Sequence, residues 1–369
     1  MVSLIVNDGT VNSIPDTVNI TTFNSSPVAD AGPDQTVEQT NTSGAQVTLD
    51  GTGSSDPDGD TLTYTWTGPF GEATGSIPTV TMPPGVNTVY PVVNDGTVDS
   101  EPDTVTITVQ DTTVPVVSNT AANPNPVAVN TSCTITAQID DTATDISYAE
   151  YSIDGDTQWY SINPITTGTN SVNVSVTMPG VAESKLLTVS VRGTDEEGNT
   201  SKPESIYLPV YDPSAGFVTG GGWIWSPKGA YTRDTSLEGK ANFGFVAKYK
   251  KGANVPEGNT EFQFSTADFN FHSNTYDWLV VSGFKATFKG TGIIEGEEGS
   301  HKFMISCVDG DLKGNGAKDT FRIRIWDEDG NGGETTIYDN QMGADMDAEA
   351  TTTLGGGSII IHSDSGNKK

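Results

Sequence analysis

Val93-Asn94-Asp95-Gly96-Thr97-Val98, then Pro102-Asp103 and the strictly alternating Thr104-Val105-Thr106-Ile107-Thr108-Val109, reads as a turn feeding a half-buried strand. The same words occur earlier. Val6-Asn7-Asp8-Gly9-Thr10-Val11 and Pro15-Asp16-Thr17-Val18 repeat 87 residues before their copies, which is one small β-sandwich apart. The first 23 residues therefore read as the closing strands of a repeat whose earlier strands are missing, and 24–111 as the first full one.

Working outward, the full repeat carries Val47-Thr48-Leu49-Asp50-Gly51, the acidic turn Asp56-Pro57-Asp58-Gly59-Asp60 and Leu62-Thr63-Tyr64-Thr65-Trp66. These are short strands between Asp/Gly/Pro turns, with Trp66 as core anchor. A second segment, 112–212, contains Cys133-Thr134-Ile135-Thr136-Ala137-Gln138-Ile139, which puts Cys133, Ile135, Ala137 and Ile139 on one inward face. A third, 213–364, is richer in aromatics: Phe243, Phe245, Ala247 and Tyr249 alternate with other residues, as do Phe321, Ile323 and Ile325. The expected fold is all-β, tandem Ig-like β-sandwiches followed by a larger C-terminal β-sandwich. Cys307 follows Phe303 and Ile305 on the two-residue period, so both cysteines are expected as buried thiols in separate domains.

These motifs carry a resemblance. With Pro27-Val28-Ala29-Asp30-Ala31-Gly32-Pro33-Asp34-Gln35 at its start, 24–111 resembles a PKD domain, although the usual Trp-Asp-Phe-Gly-Asp-Gly stretch is here Trp66-Thr67-Gly68-Pro69-Phe70-Gly71. Residues 112–212, with the Asp195-x-x-Gly198-Asn199 loop, resemble the Ig-like modules of bacterial and archaeal exoproteins. Phe217-Val218-Thr219-Gly220-Gly221-Gly222-Trp223-Ile224 and Gly239-Lys240-Ala241-Asn242-Phe243-Gly244-Phe245 resemble the post-COAP module of secreted prokaryotic proteins. The resemblance implies an extracellular or cell-surface location and a modular architecture, and no established chemistry.

Charge narrows the function. The chain has 369 residues, 18 basic and 48 acidic, for a formal charge of −30. No Lys or Arg precedes Lys185, while 22 acids lie between Met1 and Ser184. Ion pairs within that stretch cannot neutralise its carboxylates, so cations must, or mutual repulsion persists. Nucleic acid is repelled, and no apolar run is long enough to span a membrane.

Calcium is the expected cation, since it takes several oxygen ligands and carboxylates two apart on a tight turn supply them. Carried over by position from calcium-binding relatives of the PKD fold, the ligands in 24–111 are Asn24, Ser25, Asp56, Asp58 and Asp95. In 213–364, Asp327-Glu328-Asp329-Gly330-Asn331-Gly332 opens like an EF-hand loop, but Tyr338 stands at the twelfth position. Asp327, Asp329 and Asn331 form one candidate group there, and Asp309, Asp311 and Asp319 another. The competing reading of every such cluster is a solvated turn.

No H-E-x-x-H, G-x-S-x-G or phosphate loop occurs, and His272, His301 and His362 lack ligand spacing, so an enzyme is not expected. Trp223 and Trp225 project to one side of a strand. They are expected in the core; exposed, they would make a stacking platform for a sugar. Three roles follow: a calcium-stiffened stalk or surface-filament subunit, self-associating through 1–23 in its filament form; a module binding surface glycans or proteins on spacer domains; or an accessory region of a secreted hydrolase.

Overall fold

The computed structural model describes residues 1–362 apart from 154, 156, 167 and 330–332. Asn331 and the end of the 213–364 stretch therefore lie outside the described residues. Among those described, helix is limited to the single turns Ser265–Ala267 and Gly310–Lys313; all other regular structure is strand. The chain divides into two compact units, one of Met1–Val114, Asp141–Asp145 and Asp195–Asn199, and a second of the remainder.

The first unit holds β1 (Val2–Leu4), β2 (Asp16–Val18), β3 (Gln35–Glu38), β4 (Ala45–Thr48), β5 (Thr63–Gly68), β6 (Gly71–Thr74), β7 (Thr79–Met82), β8 (Gly85–Asn94) and β9 (Val105–Gln110). A five-stranded sheet runs β3-β9-β8-β5-β6, with β3 parallel to β9 and the other pairs antiparallel, and β4 pairs with β7 in a second sheet. Both sheets contribute to one core, in which Leu49, Trp66, Met82, Val89 and Ile107 are fully buried. Alternation is the cause: Val105, Ile107 and Val109 point inward and the intervening threonines do not. Trp66 is the anchor its motif implied, with its indole N–H donating to the Gly75 carbonyl at 2.9 Å.

The β1–β2 hairpin reproduces β8–β9. Val2 pairs with Val18 as Val89 pairs with Val105. The Asp8 carboxylate accepts from the Thr10 and Val11 amides as Asp95 does from Thr97 and Val98. Yet Val89 and Val105 are buried, whereas Val2 and Val18 are more than half exposed.

The second unit begins with β10 (Val116–Asn123), β11 (Val127–Ala128), β12 (Cys133–Asp140), β13 (Ile146–Ser152), β14 (Tyr160–Ser161), β15 (Ser171–Met178), β16 (Lys185–Asp195) and β17 (Glu204–Tyr211). They form the sheets β10-β12-β15 and β11-β17-β16-β13-β14 around a shared core. Cys133, Ile135, Ala137 and Ile139 face inward together. There follow β18 (Phe217–Ser226), β19 (Gly239–Tyr249), β20 (Pro256–Phe264), β21 (Phe269–Ser282), β22 (Lys285–Ile294), β23 (His301–Val308), β24 (Thr320–Glu328), β25 (Glu334–Asp339) and β26 (Gly356–His362). These make one nine-stranded sheet, with β18 to β25 in sequence order and β26 beside β18.

The sheet folds over itself. Phe243 of β19 and Phe321 of β24 are five strands apart, yet their rings stack at 3.9 Å, so the layers of the C-terminal sandwich are halves of one sheet. Cys307 is buried in this core, and desolvation pushes its thiol well above the usual range. Arg322 is also buried, forked onto Asp339 and donating to the carbonyls of Ala344 and Asp345. It thereby fixes the segment after β25, whose Met346 packs with Leu186 against Trp278, Met304 and Trp326.

The core expectation for Trp223 and Trp225 is corrected. Val218, Ile224 and Ser226 are the buried residues of β18, and the Tyr338 hydroxyl donates to Ser226 Oγ at 2.9 Å, which fixes that face inward. The odd positions point out, so Trp223 is half-buried and Trp225 is 58% exposed.

Candidate metal centre

Three aspartates meet in the first unit. Asp111 directly follows β9, Asp141 directly follows β12, and Asp195 closes β16. All three are buried, with residual exposures of 5%, 8% and 1%, and each places a carboxylate oxygen within 4.8 Å of the other two. Among the described residues no other set of three acidic, histidine or cysteine groups does so.

Local turn chemistry holds them in place. Asp111 Oδ1 accepts from the Thr113 amide at 3.0 Å and hydroxyl at 2.6 Å. Its Oδ2 accepts from the Thr144 hydroxyl at 2.6 Å. Asp141 Oδ1 accepts from the amides of Ala143 and Thr144, at 2.7 and 3.0 Å. Asp195 takes the Asn199 amide on Oδ1 at 2.8 Å and its side-chain NH2 on Oδ2 at 2.9 Å. That same NH2 reaches the Asp111 carbonyl at 3.1 Å, and Gln39 Nε2 donates to the Ala143 carbonyl at 2.7 Å. An Asp or Thr bonding its own backbone two residues on is ordinary turn behaviour; here three such turns converge on one point.

Every donor just named is neutral. Burial opposes ionisation of Asp111, but the hydroxyls of Thr113 and Thr144 and the Thr113 amide hold its carboxyl below the ordinary value. The arrangement thus brings three carboxyl groups to one buried position. An all-oxygen, carboxylate-rich donor set suits a hard divalent cation, calcium before zinc or copper.

Among the residues expected to bind calcium in 24–111, two pairs meet. Asn24 Nδ2 donates to Asp95 Oδ2 at 2.7 Å, and the Ser25 amide to Asp58 Oδ2 at 2.6 Å. Asp56 Oδ1 accepts from the amides of Asp58 and Asp60, at 2.8 and 3.1 Å, while its Oδ2 is buried with no hydrogen-bond partner. The Val98 amide, then the Asn24 amide, hold the Asp95 carboxyl below its usual value.

The two groups share a plan. Asp95 sits in a loop closed by Val93 N–H to Ser100 Oγ and Ser100 N–H to the Val93 carbonyl, at 3.0 and 2.8 Å. Asp195 sits in one closed by Gly193 N–H to Ser201 Oγ and Ser201 N–H to the Gly193 carbonyl, both 2.9 Å. Asp56 and Asp141 each accept two amides from their own turns. The 87-residue offset sets Asn24 against Asp111. In the first group the Asn24 NH2 gives Asp95 a donor, where the second group has a third carboxylate instead.

In 213–364 the candidate carboxylates are largely engaged. Asp309 caps the turn Gly310–Lys313 through the Leu312 amide at 3.0 Å, and its Oδ2 accepts from Ile361 at 2.9 Å. Asp319 accepts from Gly310 and from Ile359, both at 2.7 Å. Both therefore tie β26 to the loop after β23, while Asp311 is exposed. Asp327 Oδ1 lies 2.7 Å from His301 Nδ1, and Asp329 Oδ1 accepts from Gly333 at 2.6 Å.

Sequence reasoning missed Asp111, Asp141 and Asp195. The signal is present in part: the offset pairs Asn24 with Asp111, and Asp195 opens the Asp195-x-x-Gly198-Asn199 loop. Asp141 carries no such signal, because Asp140-Asp141-Thr142-Ala143-Thr144 does not show which aspartate faces in.

No protein-family model and no curated protein sequence matches the chain. Among solved structures it is similar to the fibronectin(III)-like modules of Clostridium thermocellum CbhA, with 16% identity over 50% of this chain and 93% of that one, at a TM-score of 0.23. It is similar to the N-terminal eight Ig domains of Down Syndrome Cell Adhesion Molecule, with 8% identity over 80% and 38%, at 0.27. It is also similar to Sidekick-1 immunoglobulin domains 1–5, with 10% identity over 86% and 79%, at 0.23. Similarity at this level bears on neither site nor activity.

Proposed function

We propose that this chain is a non-enzymatic structural or adhesive protein of the cell exterior, held in its working form by calcium at Asp111, Asp141 and Asp195. The observation that carries the reading is the convergence of three buried carboxylates within 4.8 Å, each oriented by hydrogen bonds from its own turn. A bound cation would cross-link the end of β9 to the 141–145 and 195–199 segments. On the quoted motifs we read 24–111 as PKD-like, 112–212 as Ig-like and 213–364 as post-COAP-like. The test is thermal unfolding of the full chain with calcium and with chelator, followed by tryptophan fluorescence. A cation bound only by the native state raises the midpoint; identical curves would remove the reading.

Self-association through 1–23 is a second reading. It rests on the hairpin that copies β8–β9 while leaving Val2, Val6, Val18 and Ile20 exposed. Light scattering across concentrations tests it: association that Val18→Asp abolishes supports it, and a monomer at the highest concentration rejects it.

A further inference from the structure

We propose that the outward face of β18 to β21 binds a neutral saccharide chain. Four observations converge on this face, all in the second unit and independent of the aspartate site in the first.

The first is Trp225, whose large indole is 58% exposed and lies opposite Lys240 across the strand pair. The second is a row of side chains running across the strands. Trp223 lies opposite Asn242, Asn242 opposite Gln263, and Gln263 opposite Asn270. Neither Asn242 nor Gln263 has a side-chain hydrogen-bond partner among the described residues, so their amides are unspent. The third is a depression of about 270 Å³ at the far end of that row, rimmed by Glu261, Gln263, Asn270, His272 and Glu295.

The fourth is a bare floor beside the row. Gly221 and Gly244 face one another across β18 and β19. Glycine weakens a strand interior and usually has a packing reason. Gly220 has one, since a Cβ there would meet the Phe245 ring at 2.4 Å, and so has Gly258, where it would meet the Val246 carbonyl oxygen at 1.8 Å. Gly221 and Gly244 have none: the nearest atom to a Cβ at Gly221 is 3.9 Å away, and nothing lies within 4 Å at Gly244.

The chemistry selects the ligand. An exposed indole takes the C–H face of a pyranose ring. Amides that both donate and accept match hydroxyls, which do the same. The Lys240 ammonium lies 5.0 Å from the Trp223 ring centroid and Lys248 lies 3.8 Å from Glu257, and with Glu261 and Glu295 on the rim of the depression the face has no cationic patch to select an anion. A floor without side chains lets a ring lie close to the sheet.

The test is affinity electrophoresis of the full chain through gels containing β-glucan, xylan or mannan, with alginate as the acidic comparison, each with calcium and with chelator. The expected result is retardation by at least one neutral polysaccharide. Trp225→Ala should weaken it about tenfold, the worth of one lost stacking contact, and Gly244→Val, which raises a side chain from the bare floor, should weaken it as well, neither moving the thermal midpoint. Valine suits an outward strand position, so Gly244→Val decides the matter if Trp225→Ala folds poorly. No retardation by any neutral polysaccharide, retardation by alginate alone, or retardation unchanged in both variants would overturn the proposal. Because calcium is varied separately, a failure here leaves the aspartate site standing, and the reverse.

Discussion

Asp195→Asn should change stability in opposite directions with and without calcium. Two unit charges no more than 4.8 Å apart at an effective dielectric of about 20 repel by about 3 kcal/mol. Asp195 faces two such neighbours, so without a cation its neutralisation removes two repulsions. Asparagine still accepts the Asn199 amide, now held at 2.8 Å, and gives up the bond to the Asn199 NH2, a loss of about 1 kcal/mol. In chelator the variant should therefore unfold at a higher temperature than wild type, by an amount of the order of 5 °C or more. In calcium the order reverses, because the variant lacks one anionic ligand. Wild type at calcium a hundredfold above its dissociation constant gains about 2.7 kcal/mol, and the variant gains much less. The assay is paired thermal unfolding by circular dichroism. A shift of the same sign and size in both buffers would refute the reasoning, since no cation would then be balancing the three charges.

Trp66→Ala empties the centre of the first sandwich, where the indole has no exposure, and should cost about 3–5 kcal/mol in urea unfolding. Arg322→Met leaves the buried Asp339 carboxylate unpaired and should cost about 3–5 kcal/mol; pairing it with Asp339→Leu should restore much of the loss, read by Trp326 fluorescence in the same titration. Acid should destabilise the chain. Hydrogen bonds hold Asp95 low through Val98, Glu297 through Arg233 and Glu349 through Lys285 and Lys313, so all three stay ionised when folded below their ordinary values. Their stabilisation is complete above about pH 4–5 and is lost as pH falls through the lowered folded values; a midpoint that does not drop between pH 5 and pH 2 contradicts this.

Much of the fold was legible because a two-residue period is a direct statement about burial. Cys133 to Ile139 and Val105 to Val109 face as their alternation requires, whereas in β24 Phe321, Ile323 and Ile325 share one face while Arg322 and Trp326 on the other are buried too. The tryptophan pair of β18 was misread for the same reason. Period two says that Trp223 and Trp225 share a face but not which face, and Ile224 together with the Tyr338–Ser226 hydrogen bond decides it. That the C-terminal layers belong to one sheet was not legible, since the contact of Phe243 with Phe321 joins strands that are neighbours in neither sequence nor sheet.

The acidic turns divide on similar grounds. Asn24 bonds Asp95 and Ser25 bonds Asp58, but Asp56, Asp58 and Asp95 do not bring three carboxylates within 4.8 Å of one another. Asp309 and Asp319 looked the same in sequence, but both bond backbone amides of β26. Sequence shows which residues can offer oxygen, and only the packing shows which oxygens other groups already claim. Asp111, Asp141 and Asp195 are separated by 30 and 54 residues, so no local window could unite them.

The most direct measurement is a crystal structure grown in calcium, with anomalous differences collected at long wavelength. The account predicts a peak bonded by Asp111, Asp141 and Asp195, with oxygens about 2.3–2.6 Å away. Density there that shows no anomalous signal, with the three carboxylates bridged only by water, would contradict it.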